Sequence, residues 1–503
     1  MPSHSFLESF NRRLFVFLWS ATVLSGAVSL CATCADADEL TQQEQAARSA
    51  YEQQLNSLAE LCREQRLSDE AQWTQAWLIE RDPAKLFVFD VDGADPVASI
   101  TDDSEMGDAR WRKRFLELRR RRADELFDIC QQLASAGRAS EAMIGLTEVL
   151  REGPQHAEAR RILGYVQHEG RWLTTYAARM MQLGMVWDER FGWVNTAHLP
   201  RYEKGERRFG ARWVSAEQEQ LLRRNIRDGW LVRTDHYKLT TNHSLEEGVR
   251  LAGQLENLHF VFRNVFAGYY VPSDDLIRWF RGRGRLPISP VQHDIVYFRQ
   301  RDEYNQALRR EQPNIEITLG IYFDRRREAF FFAGEGQDEG TLYHEGTHQL
   351  FQEIRGAARN TGAEQNFWAV EGVATYMESL TRGPGYFTLG GFTAGRVPTA
   401  RERILAGGFY LPIAELVAMG KLDVQRSPDI GKIYTQAAGL ATFLMHYDRG
   451  RYREAMIDYL AEIYAGRDDR ESLSRLTGSK YEQLDREYHE FLRSAPLAEA
   501  AGN

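Results

Sequence analysis

The pattern of apolar and polar positions divides the chain into parts with different predicted structures. From Thr41 to about Met185, apolar residues recur at spacings of three and four, which is the period of amphipathic helices. From Trp230 onward, stretches with strand-like alternation are interleaved with stretches of helical period, and after Gly340 the period is mostly helical. A small sheet followed by helices predicts an α+β arrangement.

Several strands and helices can be assigned in the second part. WLVRTDHYKLTTNH and HDIVYFRQ alternate as strands do, and SLEEGVRLAGQLENLHFVFRNVF has a helical period. IEITLGIYFDRRREAFFFAG predicts two strands around a turn at Asp324 to Arg327. The apolar strand from Ala329 to Ala333 is predicted to lie at a sheet edge, where an extended peptide could pair with it. The stretch 186–228 is rich in Trp, Gly and Arg and is predicted to be a linker with short strands.

Two segments of the helical part are alike. In each, an alanine stands twelve residues before a proline, at Ala71 and Pro83 and again at Ala142 and Pro154. These offsets resemble the tetratricopeptide pattern, in which a small residue marks the contact of paired helices and a proline ends the unit. A generic array of helical hairpins explains the same spacing. Either arrangement would offer a surface for a protein partner.

The N-terminus has the features of a secretory signal peptide. Arg12 and Arg13 precede an uncharged apolar run from Leu14 to Leu30, and Ala35 and Ala37 are spaced for cleavage. We therefore predict a signal peptide over 1–37 and an extracytoplasmic location, secreted or periplasmic. An uncleaved membrane anchor is the alternative, because the run approaches the length of a membrane span. The remaining predicted units are a helical, tetratricopeptide-like region at 38–185, the linker, and a third domain at 229–495.

The composition is that of a globular protein. The 503 residues are 43% hydrophobic and 27% charged, and the formal net charge is −9. Because nucleic-acid binding needs a basic patch, this balance argues against a nucleic-acid partner. The run Arg119 to Arg122 lies among acidic residues and is predicted to be a solvated helix face. Beyond the predicted signal peptide the chain has Cys62 and Cys130, which are either a disulfide pair or two buried thiols.

The most informative stretch is TLYHEGTHQLFQE, from Thr341 to Glu353. His344 and His348 are four residues apart on a predicted helix, so both rings lie on one face and can hold a zinc ion. Glu345 follows the first histidine, where its carboxylate can act as general base on a water. Gly346 is unfavourable in a helix by up to about 1 kcal/mol.

A zinc site needs a third protein ligand. Phe351 and Ile354 occupy the positions at which a metzincin has a glycine and a third histidine, so that arrangement is excluded. Glu371 lies 23 residues after His348, in the apolar stretch WAVEGVATYMESL on a second predicted helix. A buried carboxylate is costly without a cation, and zinc would supply the cation.

HEGTH followed by WAVEGVATYME resembles the gluzincin zinc peptidases, such as thermolysin and the membrane-alanyl aminopeptidases. The resemblance covers about 110 residues, from Thr341 to roughly Tyr447. It implies that His344, His348 and Glu371 bind one Zn²⁺ ion and that Glu345 is the general base. The glycine-rich exopeptidase motif of the aminopeptidases is absent from EAFFFAGEGQDEG, the strand ahead of the zinc helix. An endopeptidase, or a specialised peptidase of another substrate, is therefore expected in preference to an aminopeptidase.

The resemblance also implies a tyrosine that stabilises the oxyanion. Tyr434 lies 63 residues after Glu371, in the stretch IYTQAAGLATFLMHY. A preorganised phenol donor there can contribute several kcal/mol in the transition state. His446, twelve residues further on, is interpreted as a packing residue. Thr375 and Glu378 share a helix face with Glu371 and are candidates to accept a hydrogen bond from an imidazole N–H.

The sequence therefore predicts a secreted zinc metallopeptidase acting on a peptide or protein substrate, with a loop-like segment at 383–412 that shapes the cleft. The alternative is a binding protein: an adaptor with a helical partner surface, whose peptidase-like domain holds zinc without turnover. Glu345 argues against the adaptor, because a structural zinc site has no use for a general base.

Overall fold

A computed structural model of the protein describes residues 19–92, 97, 100, 101, 105–284 and 292–494, with side chains from residue 39 onward. Its helices surround a five-stranded mixed sheet, a three-stranded antiparallel sheet and three two-stranded hairpins. The predicted α+β class is confirmed. The predicted signal peptide lies outside the described residues over 1–18, and only its backbone is described from residue 19 on. Within the described ranges, no helix is both long and apolar enough to cross a membrane.

The N-terminal part is mainly helical. Its elements are α1 (Trp19–Glu64), α2 (Ser68–Ala76), β1 (Lys85–Phe89), α3 (Ala109–Ser135), α4 (Ala139–Glu152) and α5 (Ala157–Ile162). Helices α3 and α4 are joined by a short turn in which Gly137 has a φ of 79°. Ala142 is fully buried in the α3–α4 core, and Ala71 is buried in a neighbouring core. Cys62 and Cys130 are free thiols in these two separate cores, so they form no disulfide.

The basic run on α3 differs from the predicted solvated face. Arg119 and Arg122 are buried, with 1% and 2% of their surface exposed. Arg119 donates from Nη2 to the carbonyl oxygen of Arg151 at 2.7 Å, and Arg122 Nη2 lies 3.3 Å from Glu44 Oε1. The prediction is wrong for these two residues, because that side of α3 packs against α1 and α4 and acidic side chains compensate the charge.

Three hairpin–helix units follow the helical part. They are β2 (Tyr165–His168), β3 (Arg171–Thr174) and α6 (Thr175–Gln182); then β4 (Met185–Asp188), β5 (Gly192–Asn195) and α7 (Leu199–Glu203); then β6 (Glu206–Phe209), β7 (Arg212–Ser215) and α8 (Ala216–Leu222). Gly164, Gly184 and Gly205 precede the units with φ of 94°, 74° and 83°. The short strands predicted at 186–228 thus continue a regular series. That series begins inside the region predicted to be all helical.

The five-stranded sheet contains β8 (Trp230–Arg233), β9 (Tyr237–Thr241), β10 (His293–Phe298), β11 (Ile321–Phe323) and β12 (Glu328–Phe332). Their order is β11-β12-β10-β9-β8, with β9, β10 and β12 parallel and both outer strands antiparallel to their neighbours. The predicted edge position of Ala329–Ala333 is therefore wrong. The turn at Arg327, with φ 55°, folds β11 back onto β12, so β11 is the edge.

Helices cover this sheet and build the rest of the molecule. They are α9 (Leu245–Val265), α10 (Ala267–Tyr270), α11 (Ser273–Phe280), α12 (Arg301–Leu308), α13 (Glu339–Glu353) and α14 (Phe367–Met377). The chain then forms β13 (Thr381–Gly383), β14 (Tyr386–Gly390), α15 (Val397–Leu405), α16 (Ile413–Ala418), α17 (Lys421–Arg426), α18 (Ile430–Gly450), α19 (Arg453–Tyr464), α20 (Ser472–Thr477) and α21 (Tyr481–Ser494). One continuous apolar core joins the sheet to α9, α13, α14, α18 and α19.

The N-terminal part is joined to the C-terminal half by a shared sheet. Strand β1 pairs antiparallel with β14, which also pairs with β13. Four of the five β1 residues are buried. This strand interrupts the helical pattern predicted for 38–185, because its pairing partner lies about 300 residues away and no local period reveals it. The segment 383–412, predicted to be loop-like, contains β14 and α15.

Candidate metal centre

Helix α13 carries the two histidines of the HEGTH motif. Its N-terminus is capped by Asp338, whose side chain accepts from the Thr341 N–H at 2.8 Å. His344 and His348 follow on one face, both partly exposed. Gly346 lies on the opposite side, against α9, where a Cβ atom would approach Leu258 Cδ2 to 2.6 Å. The glycine is thus explained by close packing of α13 on α9, which offsets its low helix propensity.

Helix α14 brings Glu371 to these histidines. The helix begins after Asn366, which is fully buried and has a left-handed φ of 58°. The Asn366 side chain donates to Asp468 Oδ2 at 2.7 Å and accepts from the Tyr459 hydroxyl at 2.5 Å. This network anchors the start of α14 to α19 and to the loop that follows it. Because both ends of the Asn366 amide are held, the direction of α14 is well defined.

The three predicted ligands converge. His344 Nε2 and His348 Nε2 are 3.2 Å apart, and Glu371 Oε2 lies 3.5 Å from the first and 3.7 Å from the second. Three atoms at these separations lie about 2.0 Å from a common centre, which matches the length of zinc bonds to nitrogen and oxygen. The side chains are 13–15% exposed, so the centre is reachable from solvent. Two imidazoles and a carboxylate at this spacing fit a zinc ion.

The charges at the centre favour a cation. Burial raises the pKa of Glu371, but the two imidazoles outweigh it and hold the pKa of this carboxyl well below its usual range. Burial lowers the pKa of His344, whereas its hydrogen bonds to Glu371 and Glu378 raise that pKa to about 10. The carboxylates thus make this a favourable position for positive charge.

Of the two outer residues predicted to accept a hydrogen bond from an imidazole, one does so. His344 donates from Nδ1 to Glu378 Oε1 at 2.8 Å, which directs Nε2 toward the centre. Arg396 holds the same carboxylate with two hydrogen bonds, of 2.7 and 2.8 Å. The Thr375 hydroxyl instead donates to the carbonyl oxygens of Glu371 and Gly372 at 2.8 and 2.9 Å. Among the described residues, Glu378 has the predicted orienting contact with an imidazole and Thr375 does not.

Glu345 is positioned by the edge strand. Its Oε2 accepts from the Tyr322 N–H of β11 at 2.9 Å. The strand approaches closely because Gly320 has no side chain; a Cβ atom there would lie 3.2 Å from Glu345 Cγ and 3.0 Å from Phe331. Tyr322 also donates from its hydroxyl to Glu353 Oε1 at 3.2 Å. The carboxylate of Glu345, the general-base candidate on α13, is therefore held against β11.

Tyr434 reaches the same centre from α18. Burial raises its pKa well above the usual range, and the nearby negative charges of Glu371 and Glu345 raise it further. Helices α14 and α18 pack closely at Gly372 of α14, where a Cβ atom would lie 2.9 Å from the carbonyl oxygen of Ala437 on α18. His446, three turns along α18, is buried and hydrogen-bonded to the Tyr376 hydroxyl at 2.8 Å. Burial lowers its pKa to about 3, so the ring is neutral and accepts this hydrogen bond.

Three contributors to the site were not predicted from the sequence: Arg396, Tyr322 and Gly320. Arg396 belongs to the segment that was predicted to be loop-like, 18 residues after Glu378. Tyr322 acts through its main-chain N–H, which any residue except proline provides. Only Gly320 left a signal in the sequence, as a glycine within IEITLGIYF, the first of the two strands predicted around the turn at Asp324 to Arg327.

Comparisons with protein-family models, with curated proteins and with solved structures give no match to this chain. Function is therefore inferred from the geometry and chemistry of the site.

Proposed function

We propose that the protein is a hydrolase: a zinc-dependent peptidase of gluzincin type. The observation that carries the proposal is the convergence of His344 Nε2, His348 Nε2 and Glu371 Oε2 at mutual distances of 3.2–3.7 Å. Glu345 and Tyr434 lie beside this triad. Peptide hydrolysis at a metal also uses a general base and a hydrogen-bond donor to the oxyanion, and these two side chains can supply them. The N-terminal sequence predicts secretion or a periplasmic location.

Each residue has a definite task in the proposed mechanism. A zinc ion, when bound, supplies the Lewis acidity that activates water and polarises the scissile carbonyl group. Glu345 accepts the proton of the attacking water on Oε1, because Oε2 is held by the Tyr322 N–H. The same carboxyl group then delivers this proton to the leaving amine. Tyr434 donates its phenol hydrogen to the oxyanion, and its raised pKa keeps the phenol protonated for this role.

The edge strand supports an endopeptidase. Strand β11 lies at the end of the sheet and contacts Glu345, so an extended peptide that pairs with it would pass the triad. Ile317 and Leu319, just before this strand, are exposed by 81% and 37%. Exposed apolar side chains beside a free edge suit an unfolded protein segment with apolar residues.

The test is zinc content together with cleavage of an unfolded casein-type substrate. We expect the purified protein to contain zinc and to cleave this substrate, and we expect a chelator to stop cleavage until zinc is restored. Glu345→Gln should retain zinc and lose about 10²–10⁴-fold in activity. Glu364→Gln, an exposed change in the loop between α13 and α14, is the matched control.

Undiminished cleavage by Glu345→Gln would refute the mechanism. Bound zinc without turnover of any member of a broad peptide library would instead support the adaptor, in which the helical region binds a partner protein.

A further inference from the structure

A second site lies in a cavity between the hairpin–helix units and helix α9. The cavity has a volume of about 580 Å³, and its lining includes Trp187, Trp193, Asp235, His236, Glu256 and His259. None of the triad residues His344, His348 and Glu371 lines it. It is thus separate from the candidate zinc centre.

Three metal-binding side chains meet at its wall. His236 stands in the turn between β8 and β9, and Glu256 and His259 are three residues apart on α9, so they share a face of that helix. One ligand atom from each of the three lies within 4.8 Å of the others. Glu256 accepts from His236 twice, from the main-chain N–H and from Nδ1, each at 2.7 Å.

The surroundings of the His259 imidazole also point to a ligand at this site. Its side chain lines the cavity and is only 2% exposed, yet its Nε2 has no hydrogen-bond partner among the described residues. A buried polar atom without a partner is destabilising, because it has given up its hydrogen bonds to water without a replacement. Its ring is stacked on that of His236, with centroids 3.6 Å apart and planes inclined by 19°, so one of the two rings has to rotate about its Cβ–Cγ bond before both direct a nitrogen to one ion. The hydrogen bond between His236 and Glu256 does not explain why the imidazole of His259 is buried beside them.

We propose that His236, Glu256 and His259 form a second metal site for a divalent transition ion of the zinc class. Two imidazoles and one carboxylate are the ligands such ions prefer. The ion would join the β8–β9 turn to α9. It would also act on the hairpin units, because Asp235, next to His236, accepts from the Thr174 hydroxyl of the first unit at 2.8 Å. Its role is to fasten the hairpin units to the sheet.

Metal stoichiometry of the full chain tests the proposal. The protein is stripped with a chelator, loaded with Zn²⁺ or Co²⁺ alone, and dialysed, and the bound metal is measured by mass spectrometry. We expect two equivalents for the wild type and for His168→Gln, a control in the first hairpin. We expect one equivalent for His259→Gln and for His348→Gln, and none for the double variant. The unfolding temperature of His348→Gln should still fall when its remaining metal is removed.

Two equivalents in a folded His259→Gln protein, or a single equivalent that only His348→Gln removes, would overturn the second site. If His259→Gln loses the native circular dichroism, His236→Gln and Glu256→Gln decide the matter in the same assay. A single equivalent that His259→Gln abolishes and His348→Gln leaves intact would support this site while refuting the proposed peptidase centre. The two proposals can therefore fail separately.

Discussion

The described part of the chain contains two groups of two histidines and one glutamate, and their surroundings differ. The triad of His344, His348 and Glu371 lies between closely packed helices α13, α14 and α18, and Glu345 and Tyr434 lie beside it. The cluster of His236, Glu256 and His259 joins a turn to a helix at a cavity wall. Ligand chemistry alone does not separate a catalytic metal centre from a structural one. We propose the catalytic role for the first group because Glu345 and Tyr434, a candidate general base and a candidate oxyanion donor, lie beside it.

Of the variants compared here, the largest effect is expected at the phenol of Tyr434, the proposed oxyanion donor beside the first triad. Tyr434→Phe removes the oxyanion donor while the ligand triad stays intact, so kcat should fall about 10²–10³-fold with unchanged zinc content. Steady-state kinetics and metal analysis check both parts. Tyr386→Phe, on β14, is the control and should behave as the wild type. Equal loss in both variants would make the assignment of Tyr434 untenable.

The outer contacts of the triad give the next comparison. Glu378→Gln weakens the hydrogen bond from His344 and the pair with Arg396, so zinc affinity should fall about 10–100-fold. Thr375→Val removes only hydrogen bonds to main-chain carbonyls and should leave the affinity within about two-fold of wild type. Competition with a chromogenic chelator measures the affinity. A larger loss for Thr375→Val than for Glu378→Gln would reverse our interpretation of the two residues.

Packing around the two groups should also differ. Gly372→Ala places a Cβ atom 2.9 Å from the Ala437 carbonyl oxygen, so the free energy of unfolding should fall by about 1–3 kcal/mol. Gly253, on α9 at the second cavity, has no atom within 4 Å of such a Cβ. Gly253→Ala should therefore raise the stability by up to about 1 kcal/mol through helix propensity. Chemical denaturation measures both changes, and the same sign in both variants would contradict the packing argument.

The smallest effect concerns a carboxyl group away from both clusters. Glu454 on α19 accepts from the Ser140 N–H of α4 at 2.9 Å, and burial together with nearby Glu141 raises its pKa to about 8. Between the unfolded pKa near 4.5 and this value, the native state holds a proton that the unfolded chain has released. Stability therefore falls as pH rises through this window.

Glu454→Gln removes this titration and keeps the oxygen that accepts from Ser140. Its unfolding temperature should decline less than that of the wild type between pH 5 and pH 8, by about 1–3 °C. The exposed change Glu482→Gln on α21 should follow the wild-type curve. Neither His–His–Glu group lies at the contact between Glu454 and Ser140. Chelation should therefore leave the difference in unfolding temperature between Glu454→Gln and wild type unchanged. A parallel pH profile for Glu454→Gln and wild type would show that Glu454 does not titrate in this range.

Local chemistry explains what could be predicted. The spacing of His344 and His348, the apolar helix around Glu371 and the period of α9 all lie within short windows, where helical periodicity decides which side chains share a face. The strand pair around Asp324–Arg327 was predictable for the same reason. The pairing of β1 with β14 was not, because it joins residues about 300 positions apart.

The second cluster shows the same limit. Glu256 and His259 have a helical spacing that can be read from the sequence, but His236 reaches them only when the β8–β9 turn folds over α9. Likewise, Arg119 and Arg122 are charged residues in a polar stretch, and only the approach of α1 and α4 buries them.

The sequence by itself determined the α+β class, the helix that carries His344, Glu345 and His348, and the candidate ligand Glu371. Tertiary structure alone decided which strand is the edge, which residue orients His344, and that a second His–His–Glu group exists. Periodicity depends on contacts a few residues apart, whereas these features depend on packing between distant segments.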